Sequence, residues 1–183
     1  CASHCRPPRV PIVRTPPRLT AAELGDARAP LARRRPRAGG YQYDLSRLVL
    51  VRHGETVGNS STRFHGRGDV ELCAAGREQA RDTRAAIPGE GFELVVASPL
   101  RRAWQMACLV APGHRVRLEA DFREIDFGRW EGLTKAEIAA CDPIFYEDWQ
   151  ARAPSFEFPE GERRADFQAR VLRGLETLRA SGA

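Results

Sequence analysis

The hydrophobic and polar positions along this chain change character near residue 46. Before it, PPRV, TPPRL and RRRPRAGG show neither helical nor strand period, and residues 1–45 carry seven of the 13 prolines. Such composition cannot bury enough apolar surface to offset the entropy of ordering, so 1–45 is expected to be a disordered Arg/Pro-rich extension. After it, SRLVLV (46–51) and FELVVAS (92–98) are short continuous apolar runs, the pattern of strands covered on both faces of a parallel sheet. RVRLEA (115–120) alternates and predicts a third strand nearer an edge.

Helical periodicity predicts elements over 74–86 and 99–110, the second with Ser98 as N-cap and Pro99 in the first turn. Thr134-Lys-Ala-Glu137 is a capping box that opens a helix to about 140, and a short helix is expected over 143–152. A last helix over about 162–180 places Phe167, Val171, Leu172, Leu175 and Leu178 on one stripe. Strands alternating with helices predict a layered α/β domain with a mainly parallel sheet.

Composition changes this picture little. The chain is 42% hydrophobic and 29% charged, with no apolar run long enough to span a membrane. The net charge of +5 invites a nucleic-acid reading, but residues 1–47 hold ten arginines against three acids, whereas the remainder is −2. The excess belongs to the extension, so neither nucleic acid nor membrane is the expected partner. Five cysteines at irregular spacing argue against a disulfide framework and for a reducing, cytoplasmic setting. Cys1, His4 and Cys5 could chelate, but no second ligand pair accompanies them, and no metal or other cofactor is expected.

Candidate chemistry lies in three stretches: RHGETVGN (52–59), ASPLRRAWQMA (97–107) and REIDFGRWEGLTK (123–135). Each falls where a strand gives way to a loop or helix. If they meet at the sheet's C-terminal edge, guanidinium groups, one imidazole and one carboxylate converge. Guanidinium forks match phosphate oxygens, and an imidazole beside arginines is disfavoured in its protonated form. A neutral imidazole can attack phosphorus and leave again, while the leaving oxygen takes a proton from a carboxyl. His53 is the candidate nucleophile and Glu124 the candidate donor.

These stretches resemble the histidine phosphatase superfamily, branch 1, with its phosphoglycerate mutase-like fold. RHGETVGN is similar to its RHGE-[ST]-x-x-N signature, SPLRRAWQMA to S-x-L-x-R-A-x-Q-T-A, and EIDFGRWEG to E-x-x-x-G-x-W-E-G. Residues 63–80 resemble a further family stretch with Cys73 where Thr is usual, and FPEGERRADFQARV (158–171) a later piece with Arg163 for Ser. RGD at 67–69 falls inside the family's loop and is read as coincidence.

The resemblance implies a three-layer α/β/α sandwich and a domain over 46–183. It implies phosphorylation of His53, proton donation by Glu124, and phosphate contacts from Arg52, Asn59 and Arg102, with Gly54 letting the loop close on the phosphate. The implied partner is a small phosphorylated metabolite, with the oligomeric state open. Mutases of the family usually carry Trp before the motif's Asn; Gly58 stands there in this chain, which favours a phosphatase. The alternatives are mutase-type phosphoryl transfer and a phosphate binder without turnover. The family also uses a second histidine at a strand following the last helix. Only His4, His53, His65 and His114 are present, so the resemblance implies a C-terminally incomplete domain of low activity.

Overall fold

The computed structural model describes residues 48–58, 62–87 and 92–180. The 1–45 extension and Asn59 therefore lie outside the described residues. Five helices and two strands are formed among the described residues: α1 (Ala74–Ala86), β1 (Val95–Ala97), α2 (Arg101–Val110), β2 (Val116–Leu118), α3 (Lys135–Cys141), α4 (Pro143–Gln150) and α5 (Arg164–Ala180). Two 3-10 turns, Ala120–Phe122 and Gly128–Trp130, punctuate the loop between β2 and α3.

β1 and β2 pair in parallel, Val95 opposite Val116 and Ala97 opposite Leu118, with α2 as their crossover. This is the predicted α/β unit, with strands shorter than their apolar runs. The expected first strand differs more: residues 48–51 form no ladder among the described residues, and Leu48 and Leu50 are 67% and 86% exposed. An apolar run becomes a strand only when a neighbour accepts its backbone groups, and no described strand lies beside this one.

α1 matches its expected bounds. Its buried positions, Gly76 and Ala80, are small, so the helix approaches its neighbours closely. Leu72, Ala80, Met106 and Val110 form the core between α1 and α2. α2 departs from expectation at its start. Leu100, not Ser98, is the N-cap residue, and it offers no side-chain cap. The capping carboxylate comes from elsewhere in the chain: Asp69 accepts from the Arg101 N–H at 2.7 Å, while the Ser98 hydroxyl accepts from the Leu100 N–H at 3.3 Å. An acceptor from a distant loop satisfies the same orphan donors as a local cap.

The second core is aromatic. Trp130, fully buried, touches Phe64, Tyr146, Trp149, Phe156 and Phe158 with ring centroids 5.5–6.4 Å apart. Most of these pairs are edge-to-face, the arrangement the ring quadrupoles favour. Its indole N–H donates to Asp142 at 3.0 Å, so burial leaves no polar group of the ring unpaired. The Thr134–Glu137 capping box is present as predicted and fixes the start of α3. On α5 the expected stripe holds in part: Phe167, Val171 and Leu178 are half-buried. Gly174 is the buried position, packed on Phe122, whereas Leu172 and Leu175 face solvent.

Candidate functional site

His53 lies in the loop after residues 48–51, and the loop is seated on α1 by backbone fit. A methyl group on Gly54 would fall 2.6 Å from the Gly76 carbonyl oxygen and 2.9 Å from the Gly76 Cα. A methyl group on Gly76 would meet the Glu55 backbone in the same way. Two glycines thus face each other where chain and helix touch, and no larger residue fits either place. Glu55 N–H donates to the Gln79 side chain at 2.8 Å, and the Glu55 carbonyl accepts from Cys73 N–H at 3.0 Å. The seat beneath the histidine is therefore rigid.

The ring itself is oriented by its neighbour. Nδ1 lies 2.8 Å from the Gly54 carbonyl oxygen, which can only accept, so Nδ1 carries the hydrogen and Nε2 keeps its lone pair. Burial pulls the His53 pKa below its ordinary 6.5, and the Arg102 and Arg52 charges push the same way. The Gly54 hydrogen bond and Glu124 oppose that shift without reversing it. The neutral, Nε2-bare imidazole is the favoured state.

His53 opens on a cavity of about 200 Å³ lined by Arg52, Thr62, Arg63, Phe64, His65, Glu124, Phe127 and Lys135. Three of the sequence-nominated residues, Arg52, His53 and Glu124, thus share one cavity. Oε1 of Glu124 accepts from the Ile125 N–H at 2.9 Å, which holds the carboxylate at the loop's edge. Arg63 donates to the Gly132 carbonyl and to Glu137, so its guanidinium is fixed in the wall. Lys135 lies over the Trp149 ring at 5.7 Å. Phe64 and Phe127 carry the wall down into the aromatic core.

Arg102 sits behind this wall. It is 2% exposed and donates to the carbonyls of His65, Gly66 and Gly68 at 2.7–2.9 Å. Gly54 has an ordinary backbone conformation; its requirement is the close approach to Gly76, a steric reason the sequence did not disclose. Asn59 lies outside the described residues.

Sequence reasoning passed over Glu131. Its carboxylate accepts from the backbone N–H groups of Arg67, Gly66 and Phe127 at 2.8–3.1 Å, binding the 64–69 loop to the 124–131 loop. Arg102 and Glu131 grip the same loop from opposite chemical sides, one through its carbonyls and one through its N–H groups. Arg67 pairs with Asp126 at 2.9 Å, and Asp69 caps α2. The RGD triplet is thus occupied in joining elements. No group of three His, Cys, Asp or Glu residues is arranged to hold a metal ion among the described residues.

These loops gather an imidazole with a bare Nε2, a guanidinium and a carboxylate around one small cavity, groups chemically suited to a phosphoryl group. Residues 48–183 match the histidine phosphatase superfamily (branch 1), and the chain belongs to that family. Its fold is that family's phosphoglycerate mutase-like α/β sandwich. The glucosyl-3-phosphoglycerate phosphatase of Mycobacterium tuberculosis is 37% identical over 126 residues, 68% of this chain and 56% of that protein. Phosphoserine phosphatase 1 of Hydrogenobacter thermophilus is 30% identical over 137 residues, covering 74% and 65%. The solved α-ribazole phosphatase of Shigella flexneri superposes with a TM-score of 0.63 at 30% identity, covering 70% of this chain and 64% of that one. The chain spans less than two thirds of the length of these relatives, and 37% of a bifunctional protein of M. tuberculosis. Among the described residues no helix is long and apolar enough to cross a membrane.

Proposed function

We propose that this chain carries the nucleophile and proton donor of a phosphatase that hydrolyses small phosphomonoesters through a phosphohistidine on His53. The observation that carries the reading is the fixed ring: Nδ1 is committed to the Gly54 carbonyl, leaving Nε2 as the nucleophilic atom in a cavity shared with Arg52 and Glu124. Nε2 attacks phosphorus, the P–O bond to the leaving group breaks, and Glu124 gives that oxygen its proton. Water then attacks the phosphoramidate, and the carboxylate of Glu124 takes the proton back as the P–N bond breaks. Arg52 and Arg102 supply the positive charge that phosphoryl transfer requires.

The cavity also limits the substrate. Its volume suits a small metabolite, and Arg63, His65 and Lys135 on its walls favour an anionic or polar leaving group over an apolar one. The relatives named above are phosphatases, which supports hydrolysis over mutase transfer.

Partitioning tests the mechanism. In dilute methanol, a common phosphohistidine gives the same ratio of methyl phosphate to inorganic phosphate whatever the starting ester. A ratio that varies with the leaving group would remove the shared intermediate. Replacing His53 by Asn should lower kcat by about a thousandfold or more, the scale on which removal of a nucleophile is felt.

A further inference from the structure

Among the side chains that hold the loop carrying Glu124 from outside the cavity, Arg170 makes the bond to Glu124 itself. Arg170 on α5 has five guanidinium hydrogens to place. Nη1 donates to the carbonyls of Asp121 and Arg123, both at 2.7 Å. Nη2 donates to the Glu124 carbonyl at 3.1 Å and to Glu162 Oε2 at 2.8 Å, and Nε donates to Glu162 Oε1 at 2.6 Å. All five are spent, three on backbone carbonyls of the stretch that runs up to and includes Glu124, and two on one carboxylate. The face of the guanidinium lies over the Phe167 ring at 4.8 Å. The side chain is 13% exposed; its bonds to Glu162 and the Asp121 carbonyl are part-buried, and those to the Arg123 and Glu124 carbonyls are exposed.

Glu162 completes the grip. Its carboxylate accepts from the Asp126 N–H at 3.4 Å, and its own N–H donates to the Asp126 carbonyl at 2.9 Å. Hydrogen bonds from Arg170 keep the Glu162 carboxyl below its ordinary value, so the pair stays ionised near neutrality. The Arg170–Glu162 fork therefore spans the stretch 121–126, with Glu124 at its middle. No other described contact fixes the Glu124 carbonyl.

We propose that Arg170, with Glu162, is the positioning residue that sets the height and direction of the Glu124 carboxyl over the leaving-group side of the cavity. The proposal rests on the reading of Glu124 as proton donor. A planar, five-donor fork suits this role because it fixes three carbonyls in one plane; an ammonium at the same place holds a point and not an orientation.

The test uses the intact protein and two esters. β-Glycerophosphate releases an alkoxide that must be protonated, whereas 2,4-dinitrophenyl phosphate releases a stable phenolate that needs no acid. For R170Q, kcat/KM should fall by about 100-fold with β-glycerophosphate and by no more than about threefold with the dinitrophenyl ester. E124Q should show the same split, and the double variant E124Q/R170Q should lose no more than E124Q alone. E162Q should lose in the same direction by a smaller factor, and it carries the comparison should R170Q not fold. Amide hydrogen exchange in R170Q should rise over 121–126 and stay unchanged in α1 and α2. Equal losses on both esters in R170Q with a steep split in E124Q would overturn the positioning role alone. An E124Q variant with no split would overturn the donor assignment beneath it.

Discussion

At the residue scale a backbone carbonyl fixes the ring of His53, the proposed nucleophile. Free histidine shares its proton between two nitrogens, but the Gly54 oxygen at 2.8 Å from Nδ1 settles the tautomer. Burial then holds the ring neutral, with the arginine charges adding to it. Because the folded pKa lies below 6.5, the acid limb of kcat/KM should fall below that value. A pH–rate profile checks it; an acid limb above 6.5 would mean that the nucleophile is not this imidazole. Stability has the matching sign. As pH drops below 6.5, the unfolded chain takes up a proton that folded His53 refuses, so this group costs stability down to its folded value. That His53 and Glu124 reach one cavity was legible in the sequence, because RHG and the EIDFGRWEG stretch announce themselves in short windows. Arg102's grip on the 64–69 loop, Glu131 and Arg170 were not, because what they do depends on which backbone carbonyls and N–H groups the fold brings to them.

At the element scale the site depends on contacts between a loop and helices that carry no chemistry. Gly54 and Gly76 meet so closely that neither tolerates a Cβ. Replacing Gly76 by Ala should destabilise the protein by about 1–3 kcal/mol, as overpacking does, by pushing Glu55, and with it His53 two residues before, off α1. Thermal unfolding together with kcat reads this; a Gly76→Ala chain of unchanged stability and rate would show that the loop is not seated on the helix. Helix bounds were well read from the sequence where the signals are local. The 74–86 helix and the Thr134–Glu137 capping box lie where expected. The strand expected at 46–51 is absent from its described residues because ladder pairing depends on a distant partner that no local pattern reveals. The start of α2 was misplaced for the same reason. Its capping carboxylate, Asp69, comes from a loop on the far side of α1 in the chain.

At the scale of the whole molecule, one small cavity is bounded by three loops, and each loop is fixed from behind by a different device. The 53–58 loop rests on α1 through its glycine contact, Arg102 and Glu131 hold the 64–69 loop, and Arg170 with Glu162 holds 121–126. Two cores separate these duties. The aliphatic one joins α1 to α2, and the aromatic one around Trp130 backs the cavity's far wall. This division explains how a cavity edge with exposed Arg52 and Glu124 stays ordered without burying their charges. It also leaves the centre of the account resting on a single atom, Nε2 of His53. The direct test is to quench the enzyme during turnover of a labelled phosphomonoester, in the presence of a strong chelator, and to locate the label. The account predicts an acid-labile, base-stable phosphoryl group on His53, formed despite the chelator and missing from a His53→Ala chain. Label on another residue, label persisting in His53→Ala, or turnover with no covalent label would contradict it.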